Sequence, residues 1–356
     1  MGVRYIGSKA RVAEQIVDLA GDPEVGGRFV DAFSGTGAVA GAAANRGWNV
    51  SLNDTLPSAV AMSVSNVIGD GNVLFEDLGG YRQAIETLNR APGLPGFIHS
   101  EYSPASVLTG TTERKYFTEA NAARLDAMRT LIGEWVAANQ ISWVERQLLL
   151  SDLMQAANGV ANISGTYGSF LKTWSDSALR PVQVVSRTLP DRTTDLVVST
   201  SDVFDVETTS RDTVYLDPPY TKRQYSAYYH VLETLHAGDS PVVGGVTGLR
   251  PWQDRASIFC YKQKALDALT RLVLGMNARR ILLSYSSEGH VPQDHLVNAL
   301  SEAGSVTVHE IQTIGRYRPN ARASAAGNTV DEYVIEIEPV QLTTSSRFPV
   351  GAAVLA

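Results

Sequence analysis

Arg28-Phe29-Val30-Asp31-Ala32-Phe33-Ser34-Gly35-Thr36-Gly37-Ala38-Val39-Ala40 decides the fold, because an apolar strand runs into a glycine turn and the turn runs into a helix. The small residues from Ala38 to Asn45 predict a helix packed closely on a sheet, and Trp48–Leu52 reads as the next strand, ending at Asn53-Asp54. Strand, helix and strand at this spacing make a βαβ unit. Upstream stand a short segment, Val3–Lys9, and a helical stretch, Val12–Ala20. The alternation lapses between Val67 and Val185, where apolar residues recur at spacings of three and four. Leu125, Met128, Ile132 and Trp135 mark one helix there, and Val144, Leu148 and the residues up to Ala157 mark another. Asn158-Gly159 and the polar stretch Asn162 to Phe170, with Gly165 and Gly168, read as a hairpin or a mobile loop. The sheet pattern resumes at Asp195–Ser199, Thr213–Leu216 and Arg280–Tyr285, and Val306–Thr313 with Tyr333–Glu338 suits an antiparallel hairpin. The expected architecture is α/β: a doubly wound sheet built from residues 1–66 and 186–356, with a mostly helical insertion at 67–185. In such sheets ligands gather beyond the carboxyl ends of the strands, which lines up Ser34, Asp54, Asp202, Asp217 and Ser286 along one edge.

Phe33-Ser34-Gly35-Thr36-Gly37 lets a ligand approach bare backbone at a helix start. It lacks the third glycine of the dinucleotide fingerprint and the Gly-Lys-Ser/Thr ending of a phosphate loop, which argues against a pyrophosphate ligand. Asp54, after the second strand, stands where a carboxylate accepts both ribose hydroxyls of a nucleoside. Asp202-Val203-Phe204 is placed to hold an adenine ring, with Asp202 accepting from its amine. Asp217-Pro218-Pro219-Tyr220 is the sharpest signal, since average residue usage yields that tetrapeptide in about one in a thousand chains of this length. Its prolines end the strand and turn the Pro218 carbonyl and the Asp217 carboxylate toward a common pocket. Two such acceptors suit methylation of a base amine, whose lone pair is delocalised until both amine hydrogens are held and the nitrogen is made more tetrahedral. Tyr220 supplies a stacking face, and an amine inside a duplex implies a flipped base.

The 356-residue chain is 44% hydrophobic and 19% charged, the balance of a globular protein with a sizeable core. No apolar run reaches membrane-spanning length, and Met1–Lys9 lacks the layout of a secretory signal, so the cytoplasm is the expected compartment. Cys260 is the single cysteine and the six histidines show no HExxH spacing, so neither a disulfide nor a structural metal is expected. A net charge of −7 runs against the usual signature of nucleic-acid binding. Phosphate contact needs only local cations, however, and these cluster at Lys222 and Arg223, Arg250 and Arg255, Lys262 and Lys264, and Arg316, Arg318 and Arg322.

On these motifs the sequence resembles the DNA adenine-N6 methyltransferases of the Dam type, and the restriction-modification methylases among them. Tyr5-Ile6-Gly7-Ser8-Lys9 resembles the family's amino-terminal cofactor motif, which implies that Tyr5 and Lys9 frame S-adenosylmethionine. Asp31 to Gly37 is similar to its first glycine motif, with alanine where many members have proline, and Asn53-Asp54 to its ribose-binding position. The match of Asp202-Val203-Phe204 to the adenine-holding segment is looser, whereas Asp217 to Tyr220 matches the catalytic motif without departure. The resemblance implies a Rossmann-like methyltransferase sheet, double-stranded DNA as partner, and target reading by the insertion, including Asn158–Trp174 with Lys172. Arg223-Gln224-Tyr225, and Tyr229-His230 with Glu233, resemble a modification-methylase subgroup and imply contact with DNA or the flipped base. A cognate restriction endonuclease is then a functional partner. Competing readings are methylation of the cytosine N4 amine, which more often goes with serine in place of Asp217, and RNA or protein amide methylation, which goes with asparagine. A noncatalytic subunit would have degraded motifs, and a nucleotide-binding oxidoreductase would leave Asp217–Tyr220 unexplained.

Overall fold

A computed structural model describes residues 5–110, 112–311 and 332–340. In chain order its elements are α1 (Ala13–Ala20), β1 (Phe29–Asp31), α2 (Ala38–Asn45), β2 (Val50–Asn53) and α3 (Pro57–Val67). The insertion contributes α4 (Tyr81–Arg90), α5 (Phe97–Tyr102), α6 (Glu119–Ala137) and α7 (Trp143–Val160). Then follow β3 (Leu196–Ser199), β4 (Thr213–Leu216), α8 (Tyr225–Tyr228), α9 (His230–Ala237), α10 (Ala265–Gly275), β5 (Arg280–Ser286), α11 (Gln293–Leu300), β6 (Gly304–Ile311) and β7 (Glu332–Pro339).

The strands join in the order β3-β2-β1-β4-β5-β7-β6, parallel from β3 to β5, with β7 antiparallel to both neighbours. The expected α/β sheet and its closing hairpin are thus present. β1 pairs with β2 on one side and β4 on the other, and this reversal of direction opens a crevice at the carboxyl edge. β1 and β4 are buried along their whole length, as strands covered on both faces must be. Their alternating side chains feed two cores. Phe29, Leu52, Tyr215 and Leu282 face α1 to α3, while Val30, Val214, Leu216 and Leu283 face α10 and α11.

The inserted helices extend the first of these cores: α7 buries Leu148, Leu149 and Leu153 in the cluster that holds Val60 and Val64 of α3. A capping box starts α7, with Ser142 Oγ accepting from Glu145 N while Glu145 Oε2 accepts from Ser142 N. Its apolar stripe carries the helix on to Val160, so Asn158-Gly159 is helical and no strand forms between residues 161 and 174. The hairpin alternative therefore fails there, because buried Asn162 pins the segment as a loop. Its amide donates to the Leu171 carbonyl and its Oδ1 accepts from Ser175 N, while Leu171 N donates to the Asn162 carbonyl.

The glycine turn owes its form to close packing as much as to any ligand. Gly37 sits at φ +74, and a Cβ there would lie 2.4 Å from the Ser63 Cα in α3. Gly37→Ala is therefore expected to cost about 3 kcal/mol, from left-handed strain and from pushing α2 off α3. Urea unfolding checks this, and an unchanged midpoint would show that the α2–α3 contact gives way freely.

Candidate active site

Beyond the carboxyl edge lies a cavity of about 330 Å³, within the range of small-ligand sites. Tyr5, Lys9, Phe33, Ser34, Gly35, Asp54, Asp202, Val203, Asp217, Pro218, Tyr220 and Tyr225 all line it, drawn together from distant segments. Gly37 lies behind the lining, and Lys172, Lys222 and Arg223 are exposed outside it.

The turn after β1 is set by its neighbours. Ser34 N donates to the Asn53 carbonyl and Ser34 Oγ to Ser63 Oγ, so its hydroxyl is turned toward α3. Gly35 N donates to Asp54 Oδ2 at 2.9 Å and Leu56 N to Asp54 Oδ1 at 3.0 Å. Each carboxylate oxygen has capacity for a further hydrogen bond from a ligand. Burial pushes the Asp54 carboxyl up to about 6, although the Leu56 and Gly35 N–H groups favour its charge. Asn53 braces the strand ends: its amide donates to the Ala32 and Ser201 carbonyls, and its Oδ1 accepts from Ser199 and Ser201.

An aromatic slot adjoins Asp54. Phe33 and Phe259 meet edge to face at 5.5 Å, Phe204 and Phe259 stack at 6.1 Å, and the Arg271 guanidinium lies 4.7 Å from the Phe204 ring centre. Asp202 Oδ1 accepts from Phe204 N and so shapes this wall. Phe259 belongs to the 253–260 segment, which is fastened on three sides. Gln224 and Ser257 exchange two hydrogen bonds, Arg255 pairs with Glu233 at 2.6 Å, and His290 bonds the Cys260 carbonyl while its N–H donates to the Tyr220 carbonyl.

Two tyrosines downstream of Asp217–Tyr220 hold the amino-terminal segment. Tyr5 stacks on Tyr229 at 4.4 Å, Ile6 N donates to Tyr229 Oη at 2.6 Å, and Tyr225 Oη donates to the Ile6 carbonyl at 3.1 Å. The following residues are equally committed. Glu233 Oε1 accepts from Ser58 N at the start of α3, and His230 Nε2 bonds the Tyr167 carbonyl at 3.0 Å. Burial lowers the His230 ring to about 4, so it is neutral and donates from Nε2. The 161–174 loop is thereby tied to the start of α9.

At the end of β4, Lys9 Nζ lies 3.5 Å from Asp217 Oδ1 and 5.6 Å from the Tyr220 ring centre. Burial pushes the Asp217 carboxyl up to about 6, with Lys9 pulling it back and Glu332 adding to the rise. It is ionised at neutral pH. Asp31 is also buried, and its Oδ1 meets no hydrogen-bond partner among the described residues. Burial and the charges of Asp217 and Asp54 hold the Asp31 carboxyl well above its ordinary range. Buried carboxylates with an aromatic slot suit a ligand that carries positive charge and an aromatic base, and disfavour a pyrophosphate.

The cation clusters fare unevenly. Arg250 pairs with Asp239 at 2.8 Å and Arg255 with Glu233, so carboxylates neutralise both and neither is left as a free phosphate contact. Lys262 and Lys264 are exposed, whereas Arg316, Arg318 and Arg322 lie outside the described residues. No cluster of metal-ligating side chains occurs among the described residues, and no helix there is long and apolar enough to cross a membrane.

The chain is similar to several known proteins. The family described as D12 class N6 adenine-specific DNA methyltransferase matches residues 5–298. Type II methyltransferase M.FokI of Planomicrobium okeanokoites is 30% identical over 97% of this chain and 54% of its own length. Modification methylase StsI of Streptococcus sanguinis is 30% identical over 88% of this chain and 48% of its own. Type II methyltransferase M.CviAII of Paramecium bursaria Chlorella virus 1 is 31% identical over 93% of this chain and 97% of its own. The chain thus spans about half the length of the first two and nearly all of the third.

Proposed function

The chain belongs to the D12 class N6 adenine-specific DNA methyltransferases, and on that premise we propose that it is a site-specific enzyme moving the methyl group of S-adenosylmethionine to the N6 amine of adenine in duplex DNA. The observation that carries the reading is one cavity holding Asp217-Pro218-Pro219-Tyr220 beside Asp54, Asp31 and the Phe33–Phe204–Phe259 slot.

The residues present fit this cofactor. Asp54 has capacity for the ribose hydroxyls, the rings accept the adenine with Asp202 near its amine, and the unpartnered oxygen of Asp31 suits the ammonium. Tyr5 and Lys9 frame the remainder. When bound, S-adenosylmethionine supplies a methyl group on a positively charged sulfur. The chain's own part is to prepare the acceptor. Asp217 and the Pro218 carbonyl each take one amine hydrogen, which localises the nitrogen lone pair, and Tyr220 stacks on the flipped base. A carboxylate of this basicity leaves the neutral amine protonated and takes a proton only after methyl transfer has made the nitrogen acidic. Residues 67–185 are assigned to reading the target and residues 1–66 with 186–356 to catalysis. Lys172, Lys222 and Arg223 are assigned to DNA contact and Tyr225, which lines the cavity, to the flipped base, and a restriction endonuclease is a functional partner.

Incubating unmethylated duplex DNA with protein and cofactor, then mapping modified bases along it, should find them at one recurring short sequence. Scattered modification would count against site specificity. Because Asp54 and Asp217 both titrate near 6 in the free enzyme and both must be ionised, kcat/KM for the cofactor should fall as pH drops through 6. Each protonation costs about tenfold per unit, so the two together approach about a hundredfold per unit at lower pH. A pH profile rising toward acid would contradict both assignments.

A further inference from the structure

Lys9 has two carboxylate neighbours, and one of them belongs to no motif. Its Nζ is 3.5 Å from Glu332 Oε2 as well as 3.5 Å from Asp217 Oδ1, with 5% of its side chain exposed. Glu332 opens β7. Because β7 runs antiparallel to β5, with Glu332 opposite Ser286, its first residue stands at the edge where β4 and β5 end. Strand direction thus brings it to the catalytic corner from far downstream.

We infer that Glu332 is a positioning residue for methyl transfer: it shares Lys9 with Asp217, holding the ammonium over Tyr220 without letting it close on the carboxylate that receives the target amine. The inference rests on the reading of Asp217 given above. A buried ammonium facing a single carboxylate closes to a charge-assisted contact of about 2.8 Å, shorter than either distance here. Such a contact would occupy Asp217 lone pairs and make that carboxylate a poorer acceptor. Dividing the ammonium between two carboxylates avoids both effects. The other titratable groups facing this pair are Asp31, Tyr215, Tyr220 and Tyr225, with Glu288 near Tyr220, and none of them is a cation. Burial holds all three of these phenols above their ordinary value, so they stay neutral. Lys9 is therefore the charge that Glu332 acts through, and its removal leaves the ammonium to Asp217.

The test uses the full chain as wild type, Glu332→Gln and Glu332→Asp. Glutamine keeps an oxygen for Lys9 but removes the charge. Glu332→Gln should bind S-adenosylmethionine within about twofold of wild type by calorimetry and lower kcat about tenfold. The Asp217 titration, followed by carboxyl-carbon NMR on ligand-free protein, should move about one pH unit lower, and the acid limb of the rate profile should follow it. Glu332→Asp should return both toward wild type. An unmoved Asp217 titration in folded Glu332→Gln overturns the inference, as does a kcat loss accompanied only by a lower melting temperature. If wild type itself transfers no methyl group to DNA, the reading of the site fails, while the titration in ligand-free protein still judges Glu332 separately.

Discussion

Asp217→Ala is expected to reduce methyl transfer by about a thousandfold or more in kcat, while S-adenosylmethionine still binds within a few-fold of wild type. The size follows from what the carboxylate does. Removing one preorganised electrostatic partner from a buried site commonly costs about 10² to 10³ in rate, and in the proposed mechanism the same group also orients the acceptor nitrogen. Asp217 lies in the half-buried turn after β4, with Lys9 3.5 Å from its Oδ1. Alanine leaves the amine with one acceptor, and its lone pair returns to the ring. Single-turnover transfer to duplex DNA, with calorimetric binding of the cofactor alongside, separates chemistry from affinity. Normal turnover would remove Asp217 from the mechanism. Loss of binding in step with rate would make it a cofactor ligand first.

Asp54→Ala is expected to give the reverse pattern, with cofactor Kd raised about ten- to a hundredfold and kcat at saturation changed only a few-fold. Hydrogen bonds to a charged group contribute about 1.5–3 kcal/mol, which spans that range of affinity. The same carboxylate takes Gly35 N and Leu56 N, so alanine also frees the glycine turn. Asp54→Asn keeps an oxygen for one of these N–H groups and should lose less. Equilibrium binding of S-adenosylmethionine without DNA checks the order. An unchanged Kd in Asp54→Ala would place the ribose elsewhere.

What the sequence made legible was what is local. Phe29–Asp31 running through a glycine turn into Ala38–Asn45 carries its own signals of burial, left-handed backbone and small-residue packing. Asp217 to Tyr220 did the same for the turn after β4. The rest of the site depends on contacts between residues far apart in the chain, each an ordinary residue where it stands. Phe259 and Arg271 close a slot begun at Phe33, Tyr229 stacks on Tyr5, and Glu332 reaches Lys9 because of the direction of β7. Tyr229 and Glu233 belong to a recognisable sequence pattern, but their hydrogen bonds to Ile6 and Ser58 become visible only once α9 is seated against α3. Asn158-Gly159 misled for the opposite reason. The pair reads locally as a turn, yet the capped, apolar α7 carries it as helix.

The central claim is methyl transfer to the amine of adenine, and the product reports on it most directly. Purified protein is incubated with unmethylated DNA and methyl-labelled S-adenosylmethionine, the DNA is digested to nucleosides, and the labelled nucleoside is identified. The account predicts label in N6-methyladenine, absent with Asp217→Ala. Label in N4-methylcytosine, or label retained in full by Asp217→Ala, would contradict it.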